Sequence, residues 1–205
     1  MEEHGIRFNT LPNRLSALRI ACVPLVVIFL LEDSPRSGFI AALIFGIAGI
    51  TDYFDGYYAR LQKASTVVGK LLDPLADKFL VVSSLIMLMH LGRIHSVIVI
   101  LLVCRELAIT GLRAIAAAEG IVIGASRVAK WKTATQMAAI PMLMLHETYF
   151  YVPMQALGTV LIWISLLISL WSARDYIVDF FQSVKALAAE RRREKLARKE
   201  KSGAG

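Results

Sequence analysis

Cysteine and histidine are scarce in this chain, with two Cys and four His among 205 residues. Both cysteines, Cys22 and Cys104, fall inside apolar runs. Packing is their simplest role, and neither a disulfide framework nor a zinc site is supported. His4 lies in the N-terminal stretch. His90, His95 and His146 fall at the ends of apolar runs, where interfacial placement is the better reading. No internal repeat is visible, and no polar connection is long enough to hold a soluble module, so one domain is expected. The first apolar run starts late and lacks a small-residue cleavage pattern, so it is expected to be retained rather than removed as a signal peptide. Nucleic-acid binding is a poor account of the net charge of +7, because the basic residues cluster at the edges of apolar runs.

The chain is instead rich in apolar residues, 57% hydrophobic with a mean hydropathy of +0.60. Six runs stand out, at roughly 15–31, 39–59, 74–92, 95–117, 132–147 and 151–173. Each is near the ~20 residues that a helix needs to cross a hydrocarbon layer. The second and fourth carry charges, which places them against a polar cavity rather than lipid. Nineteen of the 23 Lys and Arg lie on one side of these runs. Only Arg36 and Arg93 lie on the other, and Arg105 and Arg113 fall within the fourth run. That bias puts both termini on the cytoplasmic side.

The expected fold is therefore all-α, a polytopic membrane protein of six transmembrane helices with both termini cytoplasmic. A surface helix is expected to lead in over 9–15, capped by Asn9 or Thr10, with Pro12 in its first turn. The expected organisation is a membrane domain over 1–175 and a basic amphipathic tail over 176–205. The tail begins apolar and ends in Arg191-Arg192-Arg193-Glu194-Lys195. It reads as a topology anchor with a solvated end, or as a helix lying on anionic membrane lipids.

One string concentrates the chemistry. Asp52, Asp55, Gly56, Ala59, Arg60, Gly69, Asp73 and Asp77 spell D-x2-D-G-x2-A-R-x8-G-x3-D-x3-D where two apolar runs meet. Four carboxylates at a membrane edge are costly and ask for a cation or a reaction. Positions 52, 55, 56 and 59 share one helical face, and Asp73 and Asp77 are i, i+4 neighbours with Gly69 one turn before them. Two such helices could hold oxygen-loving divalent ions and leave room for a phosphate. The small residues Gly56, Ala59 and Gly69 would let a ligand approach the helix backbones, and they also suit close helix packing.

This string resembles the signature of the CDP-alcohol phosphotransferase family, membrane enzymes that move a substituted phosphate from a CDP-linked donor to an alcohol, and it matches at all eight positions. Leu11-Pro12-Asn13-Arg14-Leu15 with Arg19 and Pro24, Arg105-Glu106-Leu107, Gly111-Leu112-Arg113, and Lys130-Trp131-Lys132-Thr133 with Gln136 resemble the phosphatidylglycerophosphate synthases of bacteria. The resemblance runs from about residue 9 to about 175.

It implies a donor, CDP-diacylglycerol, and two Mg²⁺ or Mn²⁺ ions held by Asp52, Asp55 and Asp73. Asp77 is the implied general base, and it also touches a metal. Asp52, Gly56, Ala59, Arg60, Thr66 and Gly69 are the implied donor-binding set. The implied acceptor is sn-glycerol 3-phosphate, whose phosphate would need cations. Arg105, Arg113, Lys130 and Lys132 are the candidates. Arg105 is equally suited to an ion pair with Glu106 or a motif acid, and Lys130 and Lys132 to ordinary cytoplasmic-side charge. A homodimer and the bacterial cytoplasmic (inner) membrane, with the site facing the cytoplasm, are likewise implied.

Three rivals stand beside this reading. One is the same family with phosphatidylglycerol, serine or an inositol phosphate as acceptor. A membrane prenyltransferase also uses Asp pairs, but usually in two separate Asp-rich segments. A non-enzymatic cation carrier would place acids near mid-membrane or at both ends, whereas these four lie at one edge.

Overall fold

A computed structural model describes residues 11–62, 67–121, 127–149 and 151–203; the side chains of 52–62 and 67–77 fall outside the description. Six helices follow one another: α1 (Leu11–Leu31), α2 (Pro35–Gln62), α3 (Val67–His90), α4 (Ser96–Ala118), α5 (Arg127–Leu145) and α6 (Met154–Gly203). Each apolar run of the sequence lies in one of them. The Leu11–Leu15 stretch is continuous with α1, and Pro12 sits in its first turn. Asn9 and Thr10 lie outside the described residues. The helix α6 is unbroken over 50 residues, with no interruption at 175. A two-stranded antiparallel ladder, β1 (Thr148–Tyr149) on β2 (Val152–Pro153), joins α5 to α6.

The helix ends follow from local chemistry. Ser34 precedes Pro35, and its Oγ accepts the Ser37 backbone N–H at 3.1 Å while Ser37 Oγ accepts that of Ser34 at 3.1 Å. This reciprocal cap, with proline at the first helical position, starts α2. After α3, Gly92 takes a positive φ of 70°, and the Arg93 N–H returns to the Leu88 carbonyl at 2.9 Å. A left-handed residue just past a helix favours glycine because it has no Cβ to clash. The His95 side chain accepts the Val97 N–H at 3.3 Å to begin α4.

Consecutive helices run up and down. One end of the bundle gathers the α1–α2, α3–α4 and α5–α6 connections; the other gathers the ends of α2 and α4 and the starts of α3 and α5. Helix α1 packs on α2 and α3, and α5 packs on α2 and α6, with α4 against α6. The main core draws Leu30 from α1, Phe45 from α2, Leu88 from α3, Ile98 from α4, Leu143 from α5 and Ile162 from α6. Two contacts are especially close. A Cβ on Gly38 would sit 2.5 Å from the Met144 carbonyl oxygen, and one on Gly158 would sit 2.8 Å from Leu143 Cγ.

Arg93 ties the first end together. Its guanidinium donates to the Met144 carbonyl at 2.8 Å and the Leu143 carbonyl at 3.3 Å, and it pairs with Asp33. Gln155 of α6 donates to the Arg93 carbonyl at 2.9 Å. One buried cation thus closes the C-terminus of α5, where the helix dipole favours positive charge. The outside of the bundle is apolar. Ile28, Phe39, Ile47, Ile100, Leu107 and Leu167 are all exposed, as are Trp131, Trp163 and Trp171. A surface of that kind suits hydrocarbon better than water. By length and composition, Met154–Arg193 within α6 qualifies as a membrane span among the described residues; Ala17–Leu31, Pro35–Thr51 and Lys78–His90 are shorter apolar helices.

Candidate active site

The acidic string falls on two helices that follow one another in the chain. Asp52, Asp55, Gly56, Ala59 and Arg60 occupy the last turns of α2, and Gly69, Asp73 and Asp77 lie in the first half of α3. The short stretch 63–66 separates the two helices, so the motif segments stand at the same end of the bundle. Thr66 lies outside the described residues, as do the side chains of the eight motif positions. Among the described residues no three His, Cys, Asp or Glu side chains group to hold a metal.

One residue beyond Asp77 the described side chains resume, and they open on a cluster of charge. Three cations from three helices converge on Glu106 of α4. Lys132 Nζ of α5 lies 2.5 Å from Glu106 Oε2, the Arg105 guanidinium 3.2 Å from the same oxygen, and Lys78 Nζ of α3 lies 4.0 Å from Oε1. Lys78 also donates to the Thr110 hydroxyl one helical turn along α4. That hydroxyl donates to the Glu106 carbonyl at 2.7 Å, which fixes its free lone pairs toward the lysine.

Arg105 is anchored from behind. Its Nε donates to the Ser169 carbonyl of α6 at 3.0 Å, so the guanidinium bridges α6 and the carboxylate. Lys132 is held by its backbone, whose carbonyl accepts the Ser165 hydroxyl at 3.2 Å. The Arg105 and Lys132 side chains are only 9% and 11% exposed, against 25% and 29% for Lys78 and Glu106. The cluster is therefore deep at the α5–α6 side and open at the α3–α4 side. A cavity of about 60 Å³ lies over it, lined by Lys78, Glu106, Lys132, Thr133 and Gln136, with Leu85 and Leu102 among its apolar walls.

Among the described side chains the cluster sets three cations around one carboxylate. Buried charge of one sign is costly and calls for a counter-ion. A small dianion with several acceptor oxygens is the species that such a site can take, and an arginine offers it two parallel donors. Along α3 the acidic motif thus gives way to the cation cluster at Asp77–Lys78.

Of the four cations singled out for an acceptor phosphate, the fold brings Arg105 and Lys132 together. Arg113 stands farther along α4 with its guanidinium 5.7 Å from the centre of the Tyr176 ring, and Lys130 is exposed outside the cavity. The sequence offers Glu106 as an ion-pair partner of Arg105 and within Arg105-Glu106-Leu107, and Lys78 as one of the nineteen cations on one side. Lys78 follows the last motif acid and Glu106 follows Arg105, so adjacency was the available signal. Their convergence with Lys132 across 26 and 54 positions was not visible in the string.

Known proteins match this chain over most of its length. Residues 9–171 match the CDP-alcohol phosphatidyltransferase family. A CDP-diacylglycerol–glycerol-3-phosphate 3-phosphatidyltransferase of Bacillus subtilis is 35% identical over 190 residues, covering 87% of this chain and 98% of the relative. Proteins of the same description from Rickettsia bellii and Haemophilus influenzae are 35% and 34% identical over 169 and 176 residues. They cover 82% and 84% of this chain, and 93% of each relative.

Proposed function

The chain belongs to the CDP-alcohol phosphatidyltransferase family, and from that premise we propose that it transfers the phosphatidyl group of CDP-diacylglycerol to sn-glycerol 3-phosphate. The products are phosphatidylglycerophosphate and CMP. Beyond kinship, the observation that carries the acceptor assignment is the cluster of Lys78, Arg105 and Lys132 one residue past the last motif acid. A phosphate monoester is the acceptor feature that such a cluster can grip, and serine lacks one.

The chemistry follows from that arrangement. The phosphate of the acceptor rests on Arg105, Lys132 and Lys78, and its three-carbon backbone reaches toward α3. Its free primary hydroxyl then faces the β-phosphorus of the donor. The hydroxyl oxygen forms a bond to phosphorus as the bond to the CMP oxygen breaks, and CMP departs with that electron pair. The Asp77 carboxylate takes the hydroxyl proton, concertedly with attack because a carboxylate is a weak base toward an alcohol. Arg60 faces the diphosphate, Thr66 is the hydroxyl for the nucleotide, and Gly56, Ala59 and Gly69 admit the nucleotide close to the helix backbones.

The family depends on divalent metal, and the donor set fits one. Asp52, Asp55, Asp73 and Asp77 are all oxygen donors, which suit Mg²⁺ or Mn²⁺ and not zinc. Such ions supply charge neutralisation of the diphosphate and of the leaving oxygen.

The family is membrane-integral. In our reading all six helices span the bilayer, with both termini and the acidic motif on the cytoplasmic side. Nineteen cations on that side support this orientation, and the exposed apolar belt supports burial in lipid. The 50-residue α6 is roughly 75 Å long, more than twice a bilayer core, so its basic second half runs on past the span on the cytoplasmic side. We also place the enzyme in the bacterial inner membrane as a homodimer, as its resemblance to this family implies.

Product analysis tests the proposal. Labelled glycerol 3-phosphate and CDP-diacylglycerol should give a labelled lipid that comigrates with phosphatidylglycerophosphate. Label remaining in the aqueous phase, with serine or inositol 1-phosphate converted instead, would overturn the acceptor assignment.

A further inference from the structure

A second cavity, of about 620 Å³, opens between the end of α4 and the second half of α6. Ile115 at its wall stands roughly 14 Å along α4 from Glu106, so the cavity is separate from the site described above. Its size falls within the ~300–1,000 Å³ of ligand pockets. Two stripes build it, and both change character in the same direction. On α6, Phe180, Val184, Leu187 and Arg191 share one helical face, and on α4 Ile115 stands one turn before Glu119. Each stripe is apolar first and charged at its end. Arg191 donates to Glu119 at 2.9 Å, which sets the two charged ends side by side, and Arg192 lines the same mouth.

We propose that this cavity binds one anionic phospholipid of the cytoplasmic leaflet, with its phosphate on Arg192 beside the Arg191–Glu119 pair and an acyl chain along Ile115, Phe180, Val184 and Leu187. The proposal rests on the membrane orientation given above and not on the acceptor assignment. Depth supports it. Helix α4 has 23 residues and is roughly 35 Å long, so in that orientation Glu119 stands just past a ~30 Å hydrocarbon core, among headgroups. Arg191, held at Glu119, shares that depth, and the apolar walls lie where acyl chains run. The order of apolar wall and charged mouth is therefore the order of tail and head in a lipid beside the two helices. An arginine can grip the phosphodiester through paired donors. Charge complementarity selects the anionic class. Over 191–201, seven residues are Lys or Arg and two are Glu, so by composition this end of α6 is cationic and attracts anionic headgroups. A soluble anion would leave the apolar walls uncovered.

The test is lipid binding by purified full-length protein in neutral detergent, read by native mass spectrometry with phosphatidylglycerol and phosphatidylcholine of identical chains. Wild type should bind phosphatidylglycerol at least ten-fold more tightly. The double variant Arg191→Ala/Arg192→Ala should lose that preference. Arg198→Ala/Lys199→Ala removes the same charge farther along α6 and should keep binding within about three-fold of wild type. Val184→Trp fills the chain groove and should weaken binding at least ten-fold with every cation in place. If the first double variant does not fold, Arg192→Ala alone, which spares the pair with Glu119, should still weaken phosphatidylglycerol binding at least five-fold. Equal binding of the two lipids, equal losses in the two double variants, or unchanged binding in Val184→Trp or in Arg192→Ala overturns the site. Orientation is read separately, by labelling Gly205→Cys with an impermeant maleimide in right-side-out and inside-out vesicles. Labelling from the outer side overturns the orientation and the leaflet with it. Labelling from the cytoplasmic side, with no preference for phosphatidylglycerol, overturns the site alone.

Discussion

Replacing Arg93 with alanine should destabilise the protein without touching its chemistry. The guanidinium makes hydrogen bonds of 2.8 and 3.3 Å to the last carbonyls of α5 and an ion pair to Asp33. A hydrogen bond from a charged donor contributes about 1.5–3 kcal/mol, and the longer of these two falls at or below the low end. The Asp33 side chain is 57% exposed, so its pairing adds less than about 1 kcal/mol. Removing all three should therefore cost roughly 3 kcal/mol, since two terminal carbonyls lose their donor together. For a chain of this size that corresponds to a fall in Tm of roughly 6–12 °C. Arg93→Lys should recover only part of the loss, because an ammonium cannot span the carbonyls and the carboxylate as a planar fork does. The assay is the fraction of protein remaining monodisperse in detergent after heating, alongside kinetics at a permissive temperature. Arg93 lies 15 residues from Lys78 and 13 from Glu106 along two helices, roughly 20 Å away, so both KM values should be unchanged. A Tm within 2 °C of wild type, or a selective rise in the KM for glycerol 3-phosphate, would refute this reasoning.

Other outcomes follow from the same geometry. Gly38→Ala places a methyl 2.5 Å from the Met144 carbonyl oxygen; backbone cannot step aside cheaply, so thermal melting should show a loss of about 1–3 kcal/mol. Arg113→Ala removes a cation over the Tyr176 ring, and should leave the acceptor KM within three-fold of wild type where Arg105→Ala raises it at least ten-fold. Chelation should abolish turnover, and either Mg²⁺ or Mn²⁺ should restore it without the other, while Zn²⁺ should not.

Much of this architecture is legible in the string because long apolar runs announce helices by their length. Each of the six apolar runs falls largely within one helix, and the two with charges, α2 and α4, carry Asp52 and Asp55 and the candidate Arg105. The eight-residue signature is local, so its placement on the end of α2 and the start of α3 needs only helical periodicity. What was missed depends on packing between distant segments. The composition changes near 176, where the sequence suggests a basic amphipathic tail, and α6 runs unbroken through that point. The ladder from Thr148 to Pro153 is too short to show alternation. Arg93 read as one of two stray cations on the far side, and only the fold reveals that it closes α5. Arg113 shares a helix and a charge with Arg105, but two turns of α4 take it from Glu106 to the Tyr176 ring.

The central claim is that the carboxylates of α2 and α3 drive a transfer to an alcohol whose phosphate rests on Lys78, Arg105 and Lys132. Its most direct test is CMP release from CDP-diacylglycerol and Mg²⁺ by purified protein offered glycerol 3-phosphate, serine, inositol 1-phosphate or phosphatidylglycerol in separate reactions. The account predicts release with glycerol 3-phosphate alone, reduced about 10²–10⁴-fold in Asp77→Asn with folding intact. Release with another acceptor, or equal release from Asp77→Asn, would contradict it.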